Sequence, residues 1–301
     1  MKIAVIGGSG FIGSHIVDKL VQEDHEVTVF DIMKPSRTDL RHIHIDITDL
    51  SNTAVALTGE YDALYLLAAM ANVNDVFANP VESGLVNVMG PLNVLEAARR
   101  NDIGRVILAS TVWVYGLSPE NKVDEKTPLL PENVDHVYTG SKISAELLFY
   151  SFSKLYGINY TILRYGIPYG PRARTGTVIT NFVRFALEGK ALTILGDGNQ
   201  SRNFIYVEDL AEGNVAALNE GGKNQTFNLE GPEEISVRRV AETVQKLIGN
   251  VEIIYQEARP GDFVGKIISN EKSKNLLGWE PRTSFEEGLT KYIHWFRDNN
   301  K

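Results

Sequence analysis

A tyrosine and a lysine four positions apart could carry proton-transfer chemistry in this chain. Tyr138 and Lys142 begin a segment of helical periodicity, and their spacing places both side chains on one face of a helix. A free tyrosine, with a pKa of about 10, is a weak base at neutral pH. A nearby ammonium stabilises the phenolate and lowers that pKa. The pattern therefore predicts a tyrosine base tuned by a lysine, although the same spacing also arises by chance on many helices.

Two hydroxyl side chains, Ser110 and Thr111, end a predicted strand in the segment LASTVWVYG. Ligands of parallel sheets bind at the carboxyl ends of the strands. A hydroxyl at that edge could orient a reacting alcohol and share its proton with Tyr138. The alternative is a strand-end hydroxyl that only caps the following turn.

A glycine-rich turn follows the first predicted strand and opens the first predicted helix. Its sequence, GGSGFIG, can be read as GxGxxG from Gly8 or as GxxGxxG through Gly7, Gly10 and Gly13. Glycines there permit a tight turn and close approach of the backbone to a pyrophosphate, which the helix N-terminus attracts with its free N–H groups. The position between strand and helix favours a dinucleotide-binding loop over an ordinary glycine turn.

Asp31 indicates which dinucleotide binds. It ends the second predicted strand, about 20 residues beyond the glycines, where a carboxylate accepts hydrogen bonds from the ribose hydroxyls of adenosine. The same charge repels a 2′-phosphate, so NAD is predicted over NADP. Lys34 and Arg37 lie close in sequence and moderate that preference.

These residues need a scaffold whose strands end at one edge, and strand-like and helix-like segments alternate accordingly. The predicted strands are Lys2–Ile6, Glu26–Phe30, His42–Ile45, Ala63–Leu67, Arg105–Ala109 and Tyr160–Leu163. Helical patterns lie between them near 12–23, 52–58, 81–100 and 138–156. Strands separated by crossover helices predict an α/β fold, a Rossmann-type doubly wound parallel sheet with helices on both faces.

The pattern becomes looser and richer in turns after about residue 165. We therefore predict an NAD-binding Rossmann domain at 1–165 and a smaller C-terminal α/β substrate-binding region at 166–301. The boundary is soft, because segments such as 204–220 could return to the first sheet. In this region Ser236 is a predicted helix start, and Thr283 with Glu286 has the spacing of a capping box.

Composition excludes several other classes of protein. The chain has 301 residues, a formal net charge of -8 and no cysteine, which excludes disulfides and thiolate chemistry and argues against nucleic-acid binding. The longest apolar stretch, Ala63 to Ala71, is about half the length of a membrane helix, and the N-terminus lacks a signal-peptide core. We expect a cytoplasmic protein without a membrane, nucleic-acid or metal partner.

These residues, in this order, resemble the extended short-chain dehydrogenase/reductases, specifically the NAD-dependent nucleotide-sugar epimerase/dehydratase group with its UDP-glucose 4-epimerase-like members. The resemblance covers almost the whole chain. It implies that Thr111, Tyr138 and Lys142 are catalytic. It also implies that NAD is bound by Tyr138 and Lys142 together with Gly7, Gly10, Phe11, Ile12, Gly13, Asp31, Asp46, Ile47, Leu67, Ala68, Ala69 and Asn87.

The C-terminal half carries the resemblance to a substrate site. The segment GDGNQSRNFIYVEDL is similar to the family's GDGxQxRDFxYVxD, which implies that Arg202 contacts a diphosphate. The segment RPGD implies that Arg259 and Asp262 hold the diphosphate and ribose of the nucleotide, while Thr111 contacts the sugar. The expected partner is a nucleotide-diphosphate sugar, with a UDP-sugar favoured. The alternative for each arginine is an ordinary surface salt bridge.

The resemblance also implies a homodimer, because related enzymes pair through the helix that starts near Tyr138 and the one near 81–100. The first of these helices carries more large apolar residues than one inward stripe requires. They are Ile143, Leu147, Phe149, Tyr150, Phe152 and Leu155. The alternative is that all of them belong to the core.

Two departures from the family pattern bear on the reaction. Dehydratases of this group carry Asp-Glu directly after the catalytic threonine, where this chain has Val112 and Trp113, which cannot move protons. This departure argues against such a dehydratase and leaves 4-epimerisation or simple reduction, of which 4-epimerisation through a transient 4-keto intermediate is the expected activity. The second departure is Gly166-Ile167, where the family commonly has a bulkier residue followed by asparagine.

Other activities stay open at this point. They are a nucleotide-sugar reductase, an atypical dehydratase with different acid/base groups, and a non-catalytic dinucleotide-sensing protein. The last would be expected to lose Tyr138 or Lys142, and the chain retains both.

Overall fold

The computed structural model describes residues 1–249, 251–257 and 266–299, so the predicted substrate residues Arg259 and Asp262 lie outside the described residues. Over those ranges the strands are β1 (Lys2–Ile6), β2 (Glu26–Asp31), β3 (Arg41–His44), β4 (Ala63–Leu66), β5 (Arg105–Thr111), β6 (Lys122–Val123), β7 (Asn159–Tyr165), β8 (Ile167–Tyr169), β9 (Leu192–Leu195), β10 (Ser201–Tyr206), β11 (Gln225–Leu229), β12 (Glu234–Ser236), β13 (Ile253–Gln256) and β14 (Ile267–Ile268). The α-helices are α1 (Phe11–Gln22), α2 (Leu50–Ala56), α3 (Val73–Ala78), α4 (Pro80–Gly84), α5 (Gly90–Arg100), α6 (Val137–Tyr156), α7 (Val178–Leu187), α8 (Val207–Ala216), α9 (Val237–Ile248), α10 (Glu271–Leu277) and α11 (Phe285–Asn299).

In the described ranges the central sheet has seven strands in the order β11-β7-β5-β4-β1-β2-β3, and every neighbouring pair is parallel. The chain winds outward from β1 to β3 and then crosses back to β4 on the other side of β1. Ligands of such sheets bind where the strand order reverses, outside the carboxyl ends of the strands. The predicted Rossmann-type α/β fold is confirmed.

Continuous apolar runs explain why the sheet is buried on both faces. In β1, Ile3 and Val5 belong to one apolar cluster, whereas Ala4 and Ile6 belong to the cluster on the opposite face. Successive side chains of a strand point to opposite faces, so a strand covered by helices on both sides needs apolar residues at every position.

The helix predicted near 81–100 is interrupted. It consists of α4, a π-helical turn at Leu85–Met89 and α5, and α3 precedes it without having been predicted. A Cβ at Gly90 would overlap the side chain of Ile47, so this glycine allows the start of α5 to lie close to the loop after β3. π-Helical turns of this kind are frequent at functional sites, and this one contains Asn87.

The C-terminal half forms a second, smaller core. Sheets of strands β12-β10-β8 and of the pair β13-β9 surround a cluster that includes Phe182, Val240 and Leu289 from α7, α9 and α11. The strand β11 nevertheless pairs with β7 in the large sheet, and α8 packs against α1. Within the described residues, no helix is both long and apolar enough to span a membrane.

A buried carboxylate attaches the C-terminal segment to α8. Asp209 accepts hydrogen bonds from the backbone N–H groups of Arg282 and Thr283 at 3.0 and 2.8 Å, and from the Thr283 hydroxyl at 2.8 Å. The predicted capping box of Thr283 and Glu286 is therefore wrong. Ser284 instead accepts from the Glu287 N–H at the start of α11, because the Thr283 hydroxyl is already bound to Asp209. The helix start predicted at Ser236 is confirmed by its acceptance of the Arg239 N–H.

Asp209→Ala should therefore destabilise the fold. It leaves two backbone N–H groups and one hydroxyl without their acceptor in a buried place, and we expect a loss of about 3 kcal/mol in the free energy of unfolding. Thr283→Val, which removes only one of the three hydrogen bonds, should cost about 1 kcal/mol. Urea unfolding monitored by circular dichroism measures both values. Equal values for the two variants would show that Asp209 does not hold this segment.

Candidate active site

The glycine loop connects β1 to α1 in a conformation that needs glycine at two positions. Gly7 has a φ of +85°, and a Cβ there would lie 2.9 Å from the carbonyl carbon of Leu67. A Cβ at Gly13 would overlap the Gly7 carbonyl oxygen, so the first turn of α1 can pack on the loop only with glycine. The close contacts favour the motif Gly7, Gly10 and Gly13 over the one that begins at Gly8.

The start of α1 fits a pyrophosphate. Gly10 is the N-cap and supplies no side-chain hydrogen bond to the first turn, so the N–H groups of Phe11, Ile12 and Gly13 are available to an anion. The positive end of the helix dipole favours the same ligand. A Cβ at Gly10 would be 3.4 Å from the Gly7 carbonyl oxygen, an ordinary contact, so packing within the described residues does not itself require glycine at this position.

Asp31 ends β2 beside this loop and is buried. One carboxylate oxygen accepts the Ser9 N–H at 2.9 Å and the other accepts the Met33 N–H at 2.9 Å. The carboxylate thus holds the glycine loop against the end of β2. Each oxygen retains a second lone pair, so the same group can accept from ribose hydroxyls.

Other predicted cofactor residues lie in the segments that follow β3 and β4. Leu67, Ala68 and Ala69 follow β4 directly, and the Leu67 N–H donates to the Ile6 carbonyl oxygen at 2.8 Å. Asp46 is exposed and accepts from the Thr48 N–H and hydroxyl.

Asn87 is buried and joins three segments of the site. Its side chain accepts from the Met70 N–H at 2.8 Å and donates to the Met70 carbonyl oxygen at 2.9 Å. It also donates to the hydroxyls of Ser83 and Ser141. Asn87 therefore connects the segment after β4 to α6, which carries the tyrosine and the lysine.

Of the two strand-end hydroxyls, only Thr111 reaches the crevice. Ser110 donates to Glu146 on the buried side of the sheet. Thr111 lies within hydrogen-bonding reach of the Tyr138 phenol, and its oxygen also accepts the Trp113 N–H at 3.2 Å. The cap and the contact with the tyrosine, which the sequence offers as alternatives, are both present.

Tyr138 and Lys142 occupy successive turns of α6. Burial raises the pKa of Tyr138 to about 12, while Arg174 and the hydrogen bond with Thr111 act in the opposite direction. Burial lowers the pKa of Lys142 to about 8, against the attraction of Glu146. The Lys142 ammonium donates to the Ala109 carbonyl oxygen at 2.7 Å.

A buried ion pair lies one turn further along α6. Glu146 pairs with Arg164 of β7 at 2.7 Å, and Arg164 also donates to the Tyr115 hydroxyl at 3.0 Å. Burial lowers the pKa of Arg164, but its hydrogen bonds and charge interaction with Glu146 outweigh burial and raise it. This cluster connects α6 to β5 and β7 directly behind the predicted catalytic residues.

A cavity lies beside Trp113, and its lining also includes Ile167, Arg202, Glu230 and Lys266. The Trp113 ring is edge-on to the ring of Tyr138, with the two ring centroids 6.3 Å apart. Arg202 thus lines the same cavity as Trp113, and its predicted contact with a diphosphate stays a prediction.

Glu230 was missed by sequence reasoning. It is 2% exposed, and burial raises its pKa to about 8, against the hydrogen bond from the Gly231 N–H. Within the described ranges it has no ion-pair partner. Its position directly after a buried strand is the one local signal for a residue at the ligand edge.

The fold and the site define an enzyme of the doubly wound dinucleotide-binding class, with a hydroxyl, a tyrosine and a lysine at the carboxyl end of β5. Comparisons with known proteins agree. A model of the NAD dependent epimerase/dehydratase family matches residues 3–229. The chain belongs to this family, and NAD is its cofactor.

Individual relatives cover the whole chain. A Methanocaldococcus jannaschii protein with the provisional name UDP-glucose 4-epimerase is 35% identical over 99% of both chains. UDP-glucuronic acid decarboxylase 1 of Xenopus tropicalis is 36% identical over 98% of this chain and 72% of its own length. The crystal structure of Thermotoga maritima UDP-glucose 4-epimerase with UDP-glucose has a TM-score of 0.93 at 30% identity, over 100% of both chains.

The buried Glu230 should make stability depend on pH. In the unfolded chain this carboxyl ionises near pH 4.5, whereas in the fold it stays protonated to about pH 8. The unfolded state therefore releases a proton that the fold retains, and stability falls as pH rises between those values. Glu230→Gln, which keeps an acceptor for the Gly231 N–H, should raise the free energy of unfolding by about 1–3 kcal/mol at pH 8 and by much less at pH 5.

Urea unfolding at the two pH values measures this difference. The matched control is Glu234→Gln, since Glu234 is an exposed carboxyl of the same cavity and its loss should change little at either pH. An equal effect of Glu230→Gln at pH 5 and pH 8 would contradict the protonated state assigned to Glu230.

Proposed function

We propose that the protein is an NAD-dependent 4-epimerase of a nucleotide-diphosphate sugar, with a UDP-hexose as substrate. The observation that carries the proposal is the position of Thr111 and Tyr138 at the carboxyl edge of the sheet, next to a cavity that contains Arg202. The Thr111 hydroxyl and the Tyr138 phenol can transfer the proton of a sugar alcohol, and the guanidinium of Arg202 can bind a diphosphate. The similar 4-epimerases named above support the choice of substrate.

The chain's own groups can perform each proton step. The chemistry that NAD supplies when bound is reversible hydride transfer. Tyr138 removes the proton from the sugar 4-hydroxyl, and Thr111 hydrogen-bonds the reacting oxygen. The 4-keto sugar then turns over in the cavity, and Tyr138 returns the proton after reduction from the opposite face.

Lys142 has two roles in this scheme. Its positive charge favours the phenolate form of Tyr138, in the direction opposite to burial, which raises the pKa of Tyr138 to about 12. One N–H of its ammonium donates to the Ala109 carbonyl oxygen, which leaves two N–H groups for the nicotinamide ribose. We assign the adenosine ribose to Asp31 and the pyrophosphate to the N–H groups at the start of α1.

The residues after Thr111 disfavour dehydration. Val112 is buried and Trp113 lines the cavity, so the positions of the acid/base pair of such dehydratases hold no proton-transfer group.

On the substrate side, we propose that Arg202 and Arg259 hold the diphosphate and that Asp262 binds the ribose of the nucleotide. We also propose the division into a cofactor domain at 1–165 and a substrate region at 166–301.

Tyr138→Phe should abolish most of the activity without removing the ligands. It deletes the base but keeps the ring beside Trp113, and turnover should fall by roughly 10²–10⁴-fold. The measurement is the interconversion of 4-epimers in a panel of UDP-, GDP-, dTDP- and CDP-sugars, read by chromatography, with NAD affinity measured separately. Thr111→Val should lower turnover with little effect on NAD, whereas Lys142→Ala should weaken both.

Ser110→Ala provides the matched control, since Ser110 is the neighbouring hydroxyl that bonds Glu146. It should change turnover far less than Thr111→Val. Near-parental turnover of Tyr138→Phe would refute the mechanism. Net NADH consumption would instead support a reductase, and loss of water from the sugar a dehydratase.

We further propose a homodimer through α4, the π-helical turn and α6. Phe149 is part of the core, but Leu147 and Leu155 are 58% and 72% exposed on α6. Val81 and Leu85 are 78% and 49% exposed on the adjoining segment. A shallow groove lined by Gly84, Gly140 and Ser144 among others separates the two elements. Small groove residues allow close helix packing, and the exposed apolar side chains on either side need cover.

Light scattering on the purified protein tests this surface. The parent should have the mass of a dimer at micromolar concentration, and Leu147→Glu should shift it toward the monomer because a carboxylate would be buried at the contact. Val55→Glu is the matched control, as Val55 is 73% exposed but lies on α2. A monomeric parent, or equal effects of the two variants, would rule the surface out.

A further inference from the structure

The side chain of Glu230 fills the space that a side chain at position 166 would need. A Cβ at position 166 would overlap Oε1 of Glu230. Gly166 does not have a positive φ, so its backbone conformation is open to other residues. The glycine is therefore required by the neighbouring carboxyl and not by a turn.

The sheet register places this carboxyl at the ligand edge. Thr111 at the end of β5 is opposite Tyr165 of β7, and Leu229 at the end of β11 is opposite the same Tyr165. Glu230 thus follows the second strand over from Thr111, on the order of 10 Å away at the usual strand spacing. It lines the cavity together with Trp113 and Arg202.

Hydrogen bonds hold Glu230 in place, but within the described residues no cation pairs with its carboxyl. Its backbone N–H donates to Asn270 at 3.0 Å, and its carbonyl oxygen accepts from Asn270 at 2.8 Å. Its side chain accepts the N–H of the next residue, Gly231, at 2.9 Å. Other charged groups that share the cavity are Arg202, Lys266 and Glu234, but none of them pairs with Glu230 in the described part of the chain.

Two of those neighbours already have hydrogen-bond partners. Lys266 donates to the carbonyl oxygens of Ser118 and Glu120, and Glu234 accepts from the Ser201 hydroxyl. Ile167, also on the cavity wall, offers no polar group. Among the described residues, the buried carboxyl of Glu230 has no side-chain partner in this cavity.

We propose that Glu230 is a substrate-binding residue that acts as a neutral carboxylic acid and donates a hydrogen bond to a diphosphate oxygen of the nucleotide-sugar held by Arg202. The inference rests on the proposed function for the identity of the ligand. An ionised carboxylate beside a diphosphate would repel it, whereas a protonated carboxyl donates. Glu230 thereby makes substrate binding depend on a proton.

The direction of the pH dependence follows from the protonated form. Burial raises the pKa of Glu230 to about 8, so below that pH the acid is ready to donate and affinity should be nearly constant. Above it the proton must be taken up for binding, and affinity should fall about tenfold for each further unit of pH. Lys142 also has a pKa of about 8, so only a variant of Glu230 separates the two groups.

Calorimetric binding of UDP-glucose at pH 7 and pH 9 tests the proposal. All proteins carry NAD and the Tyr138→Phe change, so that no turnover contributes heat. With Glu230 present, affinity should drop about tenfold between the two pH values, with proton uptake seen as a heat that depends on the buffer. Glu230→Gln should keep affinity at pH 7 within a few-fold and lose most of the drop. Glu234→Gln should retain the drop and corrects for titration of the ligand.

The outcomes separate the two proposals. An unchanged drop in Glu230→Gln, or no drop with Glu230 present, would overturn the role of Glu230 while nucleotide-sugar binding stands. Absence of UDP-glucose binding at both pH values would overturn the proposed function and the ligand of Glu230 with it.

A second pair of variants tests the shared space directly. Gly166→Ala should weaken UDP-glucose binding in the presence of Glu230, because its methyl group displaces the carboxyl, and should have little effect in a Glu230→Gly background. Equal weakening in both backgrounds would show that the glycine does not make room for a ligand-binding carboxyl.

Discussion

The parallel register of β5, β7 and β11 is the constraint on which the site depends. It sets Thr111 opposite Tyr165 and Tyr165 opposite Leu229, so that all three strands end at one level. A shift of one residue would turn Thr111 into the sheet and bring Ser110 to the crevice, since successive side chains alternate between faces. The cofactor loop after β1 and the cavity beyond β7 are positioned by the same edge.

Buried polar groups hold this register and also prepare the chemistry. The pair of Glu146 and Arg164 connects α6 to β7, and Ser110 adds β5 to the same cluster. Breaking such a pair typically costs about 3–5 kcal/mol, because it leaves a buried charge uncompensated. α6 is thereby held rigidly behind the site, and Tyr138 and Lys142 project from its first two turns toward the crevice.

Glu230 presents the opposite case within the same edge. It is buried like Glu146 but has no arginine partner among the described residues, and burial raises its pKa to about 8, whereas Glu146 shares its oxygens with Arg164 and Ser110. The buried carboxyls of Glu146 on α6 and of Glu230 after β11 thus serve different purposes. Glu146 stabilises the scaffold, whereas Glu230 destabilises it at neutral pH, a cost that is expected at the proposed substrate site.

The sequence by itself determined the features that depend on local spacing. The glycine loop, the acidic end of β2 and the four-residue spacing of Tyr138 and Lys142 are each contained in one short segment, so strand and helix periodicity is enough to orient them. The alternation of strands and helices likewise predicted the doubly wound sheet, and the family comparison agrees with it.

Only the tertiary structure decided which of several equivalent local choices is used. It turned Ser110 inward to Glu146 and Thr111 outward to Tyr138, and it moved the start of α11 to Ser284 because Asp209 had bound Thr283. It also brought Glu230 into the space beside Gly166. These partners are far apart in sequence and meet only through the packing of the sheet, so no pattern of neighbouring residues could have revealed them.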